Sequence, residues 1–325
     1  MPRPIFVTVG GIVADLIVPI QSFPITPQVH QVVERLSLEP GGLGNCLIVA
    51  ARLGMQAVAL GWVGQDSFGD QVISSLRHET VDVEGVLRLP GRSTVSTVLV
   101  DRQGQHVFAG SMGVRGPEHL PREWDHIVAS ATWVMSDGWV LVQNPDPIEE
   151  ALVHAHAHGR TTVFDPGPLL HRVPDERIAR VFAATTVLLL TEEEAVRLVG
   201  AGPPGQLAKR LLDRGPSIVA LKRGPEDALI VTRSESFVQP AFPVTVRDTT
   251  GAGDAFDAAF IAGLAFELPL RTAATLAAAA GAVAVSKLGT GTAMPAREEI
   301  VEFSAARQLG IDLPPRPTAY PGGVM

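Results

Sequence analysis

Asp248-Thr249-Thr250-Gly251-Ala252-Gly253-Asp254-Ala255-Phe256 is where the residue types of this chain point most directly to chemistry. The stretch stands between a strand-like run, Phe242 to Val246, and a long apolar helical pattern starting near Ala255. Glycines at such a junction let backbone amides converge on one point, and the helix N-terminus adds partial positive charge there. That is an anion site. A carboxylate within it has a task only if a proton must be removed beside the anion. Asp254 therefore reads as a general base next to a bound phosphate, the layout that phosphoryl transfer needs. The plainer reading is a helix cap with a tight turn, since Gly and Asp are common at helix starts. The loop is not a Walker A motif, because no G-x-x-x-x-G-K-[ST] occurs in the chain. Phe256 stands where a dinucleotide fingerprint would place its third glycine.

Further candidates lie at or near the ends of strand-like runs. Asp15 follows the first of them, and a carboxylate there can accept two hydroxyl hydrogen bonds from a polyol. Asn45 offers both a donor and an acceptor, and Gly41-Gly42 permits close backbone approach. Thr191-Glu192-Glu193-Glu194 follows the run ending at Leu190; as a bare pattern it is an acidic first helical turn favoured by the helix dipole. Leu221-Lys222-Arg223-Gly224 closes another run, where Lys222 could meet a phosphate as a point charge or simply lie on the surface. His154, His156 and His158 suggest a metal cluster. On a helix only His154 and His158 share a face, and no third ligand joins them, so a solvated helix end is preferred.

These residues need a frame. After residue 115, strand-like segments alternate with helical ones: Ala131 to Met135, Ile148 to His158, Thr162 to Phe164, Thr186 to Leu190 and Ser217 to Leu221. That rhythm predicts an α/β fold with a mostly parallel sheet covered by helices on both faces. A helix from about Asn45 to Leu53, ended by Gly54, and a strand over Ala57 to Leu60 belong to the same layer. Two segments break the rhythm. Residues 12–40 carry Pro19, Pro24 and Pro27 and then the alternating run Val32 to Leu38; residues 86–110 read as a β-hairpin turning at Asp101 to Gly104. The division expected is an α/β body of residues 1–11, 41–85 and 111–325, with 12–40 and 86–110 forming a small inserted sheet that covers the site. An edge extension of the main sheet is the alternative. The Pro- and Gly-rich segment 314–325 is expected to be poorly ordered.

Composition limits the function classes. The chain has 325 residues, is 46% hydrophobic and carries a formal charge of −8 without a basic stripe, which argues against nucleic acid as a partner. Cys46 is the single cysteine, so an internal disulfide framework is excluded and a reducing, cytoplasmic setting is expected. The N-terminus enters a strand at once without a signal-like apolar core, and the alanine-rich run from Thr272 to Ser286 is too short to span a bilayer. A buried helix is expected there, and no membrane partner.

Asp248 to Phe256 resembles the C-terminal signature of the ribokinase (PfkB) family of carbohydrate kinases, and the likeness extends over nearly the whole chain. It includes Gly10-Gly11 with Asp15, Gly41-Gly42-x-x-Asn45 before Ala51-Arg52-Leu53-Gly54, and Gly61 to Gly69. The resemblance implies a doubly wound α/β domain with a β-sheet lid. It implies Asp254 as the base, and the amides of Gly251, Ala252 and Gly253 as the hole for charge on the transferred phosphoryl group. Asp15, Gly41, Gly42 and Asn45 would bind the acceptor, and Thr191, Glu194, Lys222 and Gly224 would line the ATP and Mg²⁺ site. Asp248 and Thr250, with the turn at Lys287 to Gly289, resemble loops that hold K⁺. The chain departs from the family in three places. The gap between Gly42 and Asn45 is one residue shorter, Thr191 stands where Asn is usual, and Asp165 lacks the downstream Arg of sugar-acid kinases. The activity implied is ATP-dependent phosphorylation of a hydroxymethyl group on a neutral sugar such as ribose or fructose. A nucleoside is the rival acceptor, and a non-catalytic sugar-binding or regulatory protein on the same fold is the rival of another class. A homodimer formed through the lid is also implied. An NAD-type site fails on context, because Pro19 and Pro24 follow Gly10-Gly11 where a helix would be needed.

Overall fold

The computed structural model describes residues 3–315 apart from residue 34. Strand β1 (Ile5–Gly11) opens a large sheet, and β2 (Val13–Pro19) and β3 (Ser37–Gly41) leave it for a small one. The chain returns with β4 (Gln56–Gly64) and β5 (Val86–Leu89), then completes the small sheet with β6 (Thr94–Val100) and β7 (His106–Ser111). Six more strands finish the large sheet: β8 (Trp133–Asp137), β9 (Thr161–Asp165), β10 (Val187–Thr191), β11 (Ile218–Lys222), β12 (Asp227–Thr232) and β13 (Ser236–Pro240). The large sheet runs β13-β12-β11-β10-β9-β8-β1-β4-β5, and the small one β3-β2-β6-β7.

From β11 to β5 every neighbour pair in the large sheet is parallel, while β12 and β13 pair antiparallel at one edge. Strands β8 to β11 read as near-continuous apolar runs because helices cover both faces and water reaches neither. The chain proceeds from β1 toward β5 on one side and from β8 toward β13 on the other. The reversal lies between β1 and β8, and sheets of this kind bind their ligands at such a switch point, beyond the carboxyl ends of the strands. Asp137, Asp165, Thr191 and Lys222 are the last residues of β8, β9, β10 and β11, so parallel pairing alone sets these polar groups along one rim.

Two alanine-rich helices, Ala252–Ala265 and Leu270–Val285, pack against each other, and the second is the buried helix expected around Thr272 to Ser286. Their close approach depends on small residues: a Cβ at Gly263 would lie 2.8 Å from the Cβ of Ala273. No helix among the described residues is long and apolar enough to cross a membrane.

Several sequence expectations need correcting. Phe242 to Val246 forms no strand; β13 ends at Pro240 and is already the sheet edge, and Pro243 lacks the N–H that pairing would need. The following helix begins at Ala252, three residues before Ala255, and the earlier one at Leu43, two before Asn45. Residues 86–89 belong to the large sheet as β5, parallel to β4, so the small sheet draws its second hairpin only from Thr94 onward. The alternation at Val32 to Leu38 yields a strand only from Ser37. Most of segment 314–325 lies outside the described residues.

Candidate active site

Asp254 sits in the first turn of helix Ala252–Ala265, whose N-cap is Gly251 in the left-handed region at φ 75°. That backbone is open to glycine at little cost, and it turns the chain so that the first amides of the helix face outward. Gly251 and Gly253 donate their N–H groups to no partner among the described residues, while the Ala252 amide has only a long contact, 3.3 Å, to the Thr249 carbonyl. The three expected amides thus cluster at a helix N-terminus with unused donor capacity.

The Asp254 carboxylate is held on one side. Asn45 Nδ2 donates to its Oδ2 at 2.7 Å, and Asn45 Oδ1 accepts from the Gly291 amide at 2.7 Å. Asp254 Oδ1 has no partner among the described residues. Burial raises the Asp254 carboxyl to about 6; the Asn45 bond works against that, the charge of Asp165 adds to it, and Lys222 opposes it. A carboxylate so tuned ionises near neutrality yet remains basic enough to take a proton.

Asp15 lies on β2, 6% exposed, and is raised to about 7 by burial and by the Asp254 charge, with a Thr290 hydrogen bond acting the other way. Thr290 Oγ1 donates to Asp15 Oδ2 at 3.3 Å. A Cβ at Gly41 would overlap the Asp15 carboxylate, so only glycine fits there. Gly42 is the N-cap of helix Leu43–Leu53 at φ 51°, and a Cβ on it would stand 3.9 Å from Asp137 Oδ2. The four residues proposed to bind the acceptor therefore meet at one place, and the shorter gap before Asn45 does not separate them.

Asp137 was not singled out in the sequence. Its Oδ1 accepts from the Val140 amide at 2.9 Å; burial, then the charges of Asp165 and Asp254, bring the carboxyl to about 7 against the opposing amide bond. A carboxylate closing the buried strand Trp133 to Ser136 is the signal that could have revealed it.

One short loop ties these parts together. The Gly289 amide donates to Asp248 Oδ2 at 2.9 Å, Thr290 reaches Asp15, Gly291 reaches Asn45, and Thr292 donates twice to Glu39 of β3. Asp248 also accepts from the Thr250 amide at 2.9 Å and is 1% exposed. Thr250 Oγ1 is buried with no hydrogen-bond partner, which leaves an orphaned oxygen beside a buried carboxylate. An oxygen-rich pocket of that kind suits a weakly hydrated monovalent cation.

Lys222 is neither a surface lysine nor free to point outward. Its Nζ donates to Asp165 at 2.9 Å and to both oxygens of Asp257 at 2.9 and 3.0 Å. Although burial disfavours the ammonium, Asp165, Asp257 and Glu194 raise its pKa, so it stays charged. Burial drives the Asp257 carboxyl well up, while Lys222 keeps Asp165 below its ordinary range against the same penalty. A Cβ on Gly253 would lie 3.5 Å from Nζ, so this charge stands directly behind the glycine loop. Asp257 follows Asp254 by three residues, and a carboxylate inside so apolar a helix is the overlooked hint of a buried cation.

Thr191 and Glu194 form a capping box on helix Glu192–Val199: Thr191 Oγ1 accepts from the Glu194 amide at 3.2 Å, and Glu194 Oε2 accepts from the Thr191 amide at 2.8 Å. The helix-start reading of the acidic run is realised in this pairing. Burial, reinforced by Asp165, still raises the Glu194 carboxyl. Gly224 supplies the positive-φ turn between β11 and β12, with open space where a side chain would be. His154 and His158 bond to backbone carbonyls, and no group of His, Cys, Asp or Glu among the described residues could hold a metal ion by itself. The small sheet touches the loop at one end, where His106 Nδ1 and Thr249 Oγ1 lie 3.0 Å apart.

The sequence profile described as pfkB family carbohydrate kinase matches residues 6–297. An ATP-dependent ribose-1-phosphate kinase of Halopiger xanaduensis is 30% identical over 275 residues, covering 82% of this chain and 86% of the relative. A fructokinase of Klebsiella pneumoniae is 31% identical over 290 residues, covering 82% and 92%. Among solved structures, Arabidopsis thaliana ribokinase complexed with ribose and ATP superposes with a TM-score of 0.80 at 22% identity, covering 93% of this chain and 99% of that one.

Proposed function

The chain belongs to the pfkB family of carbohydrate kinases, and from that premise we propose that it transfers the γ-phosphoryl group of ATP to a hydroxymethyl group of a neutral sugar. The observation that carries this reading is Asp254 itself: a carboxylate tuned to about 6, gripped through one oxygen by Asn45, at the mouth of a glycine loop with unpaired amides.

The acceptor hydroxyl meets Asp254 Oδ1, which takes its proton as the oxygen attacks phosphorus. The amides of Gly251, Ala252 and Gly253 then receive the negative charge spread over the phosphoryl oxygens, and the Lys222 ammonium behind them adds a fixed field. Asp15 and Asn45 orient the hydroxyls, Asp137 Oδ2 faces the same space, and Gly41 and Gly42 let the sugar approach the backbone. The groups around the acceptor are acidic, and the Lys222 charge is already committed to Asp165 and Asp257. That disfavours a sugar already carrying phosphate.

Mg²⁺ bound to ATP would neutralise phosphate charge, and Glu194, raised by burial and with Oε1 outside its capping bond, would hold water on it, with Thr191 beside it. Gly224 would give the nucleotide a side-chain-free turn. A K⁺ ion fits the orphaned Thr250 Oγ1 and the Asp248 carboxylate, where it would steady the loop that carries the anion hole. The small sheet serves as the lid over this site, with Val107 and Phe108 of its edge strand β7 exposed at 48% and 54%. Pairing of two copies through that open edge would cover them. ADP release from ATP over ribose, fructose, adenosine, inosine, cytidine and ribose 1-phosphate tests the reading. Turnover is expected with a neutral sugar, and turnover confined to a nucleoside or to the sugar phosphate would overturn the acceptor class.

A further inference from the structure

The register of the small sheet sets one row of residues across it. Asp15 lies opposite Ser96, and Ser96 lies opposite Gly110, so all three present their Cβ positions on the same face. That face is the one from which the Asp15 carboxylate looks toward Gly41, Thr290 and Asp254. Two strand spacings, roughly 10 Å, separate Asp15 from Gly110.

At the far end of the row stands an aromatic ring. A Cβ on Gly110 would lie 3.7 Å from Cη2 of Trp139, an ordinary contact, so one edge of the indole stands beside β7. Trp139 belongs to helix Gly138–Gln143, directly after Asp137, whose carboxylate borders Gly42. The other three tryptophans, Trp62, Trp124 and Trp133, are at most 6% exposed, whereas Trp139 is half-buried. Its Nε1 is shielded from water and has no partner. Trp62 and Trp124 leave the same atom unpartnered, but they are sealed in the core and Trp139 is not. Ser96, between the two ends, is half-buried, and its hydroxyl bonds to nothing among the described residues.

We propose that Trp139 is the specificity wall of the acceptor site. The face of its indole packs on the apolar C–H face of a neutral sugar ring, while its Nε1–H stays shielded within the protein. Ser96 offers a hydroxyl from the lid side, and Asp15 takes hydroxyl hydrogen bonds from the opposite end. A Cβ on Gly110 would only touch the ring, whereas a larger side chain there would crowd it toward the acceptor. An apolar face with a few polar groups around it is what distinguishes a sugar from water, since indole stacking rewards C–H surface that water lacks.

This inference rests on the kinase reading above, and its test keeps the two apart. Steady-state kinetics with D-ribose and D-fructose would be measured for wild type, Trp139→Phe, Trp139→Ala and Gly110→Val. Trp139→Phe keeps an aromatic face of smaller area, so KM for the accepted sugar should rise about two- to threefold. Trp139→Ala should raise it at least ~10-fold, and Gly110→Val should also raise it by crowding the ring, each with KM for ATP within about twofold of wild type. Acceptor titration without ATP should change tryptophan emission in wild type and not in Trp139→Phe. Wild-type turnover combined with unchanged acceptor KM in both Trp139 variants overturns the wall but leaves the kinase standing. Equal rises in both KM values mark a structural role and overturn it too. Absence of turnover in wild type with every sugar defeats the kinase reading and this inference with it.

Discussion

Replacing Asp254 by Asn should make the protein more stable as it makes the enzyme inactive. The Asp254 carboxyl is raised from 3.8 to about 6, and burial is the first cause. A carboxyl whose folded pKa lies above its unfolded one stabilises the fold fully below the unfolded value. That contribution is lost as pH rises through the folded value. The difference of about 2 units corresponds to about 3 kcal/mol, at 1.36 kcal/mol per unit. Above pH 7 wild type therefore carries an ionised group that the fold disfavours, and an amide of the same shape does not. The amide oxygen introduced by Asp254→Asn can still accept from Asn45 Nδ2, so the variant orphans no donor. For a chain of 325 residues, unfolding entropy of about 2.1 cal/mol/K per residue turns 3 kcal/mol into a rise of roughly 4 °C in Tm. At pH 5 wild type has regained about half of the contribution by protonation, so the gain should fall to about half. Scanning calorimetry of apo wild type and variant at pH 8 and pH 5 measures both. A Tm gain independent of pH, or none at pH 8, would refute the claim that the charge on Asp254 is held against the fold's preference.

Two further substitutions separate the parts of the site. Asp15→Ala should raise KM for the acceptor by ~10-fold or more while KM for ATP changes little, because Asp15 meets Gly41 and Thr290 and bonds to no amide of the glycine loop. Equal effects on both substrates would assign Asp15 to structure. Thr250→Val replaces the orphaned buried oxygen by a methyl group of similar shape. It should abolish any activation by K⁺ and leave Tm within about 1 °C in K⁺-free buffer, since no hydrogen bond is lost. Retained K⁺ activation would move the cation elsewhere.

The outline of this fold was legible because its signals are local. Apolar runs ending in a polar residue, as at Leu190-Thr191 and Leu221-Lys222, announce parallel strands whose ends line one rim. Asp254 was legible for a related reason, since two glycines and a carboxylate at a helix start are a statement about backbone and charge within a few residues. Long-range pairings were not. The loop Gly289 to Thr292 reaches Asp248, Asp15, Asn45 and Glu39 across gaps of 41 to 275 residues, and nothing in the loop itself names those partners. Lys222 misled for the same reason: its two carboxylates come from β9 and from helix Ala252–Ala265, so one residue read alone looks like a surface charge. Phe242 to Val246 shows the opposite error, a strand-like composition in which Pro243 lacks the N–H that pairing would need.

The proposed chemistry turns on Asp254 removing the acceptor proton while the glycine loop beside it holds the phosphoryl charge. The decisive measurement is kcat of Asp254→Asn with saturating ATP and sugar, alongside calorimetric binding of ATP to the same variant. A fall in kcat of at least ~10³ with ATP affinity nearly unchanged is expected, because the base is removed and the amides remain. Turnover within about tenfold of wild type would contradict that role, and the base would have to be sought elsewhere in the site.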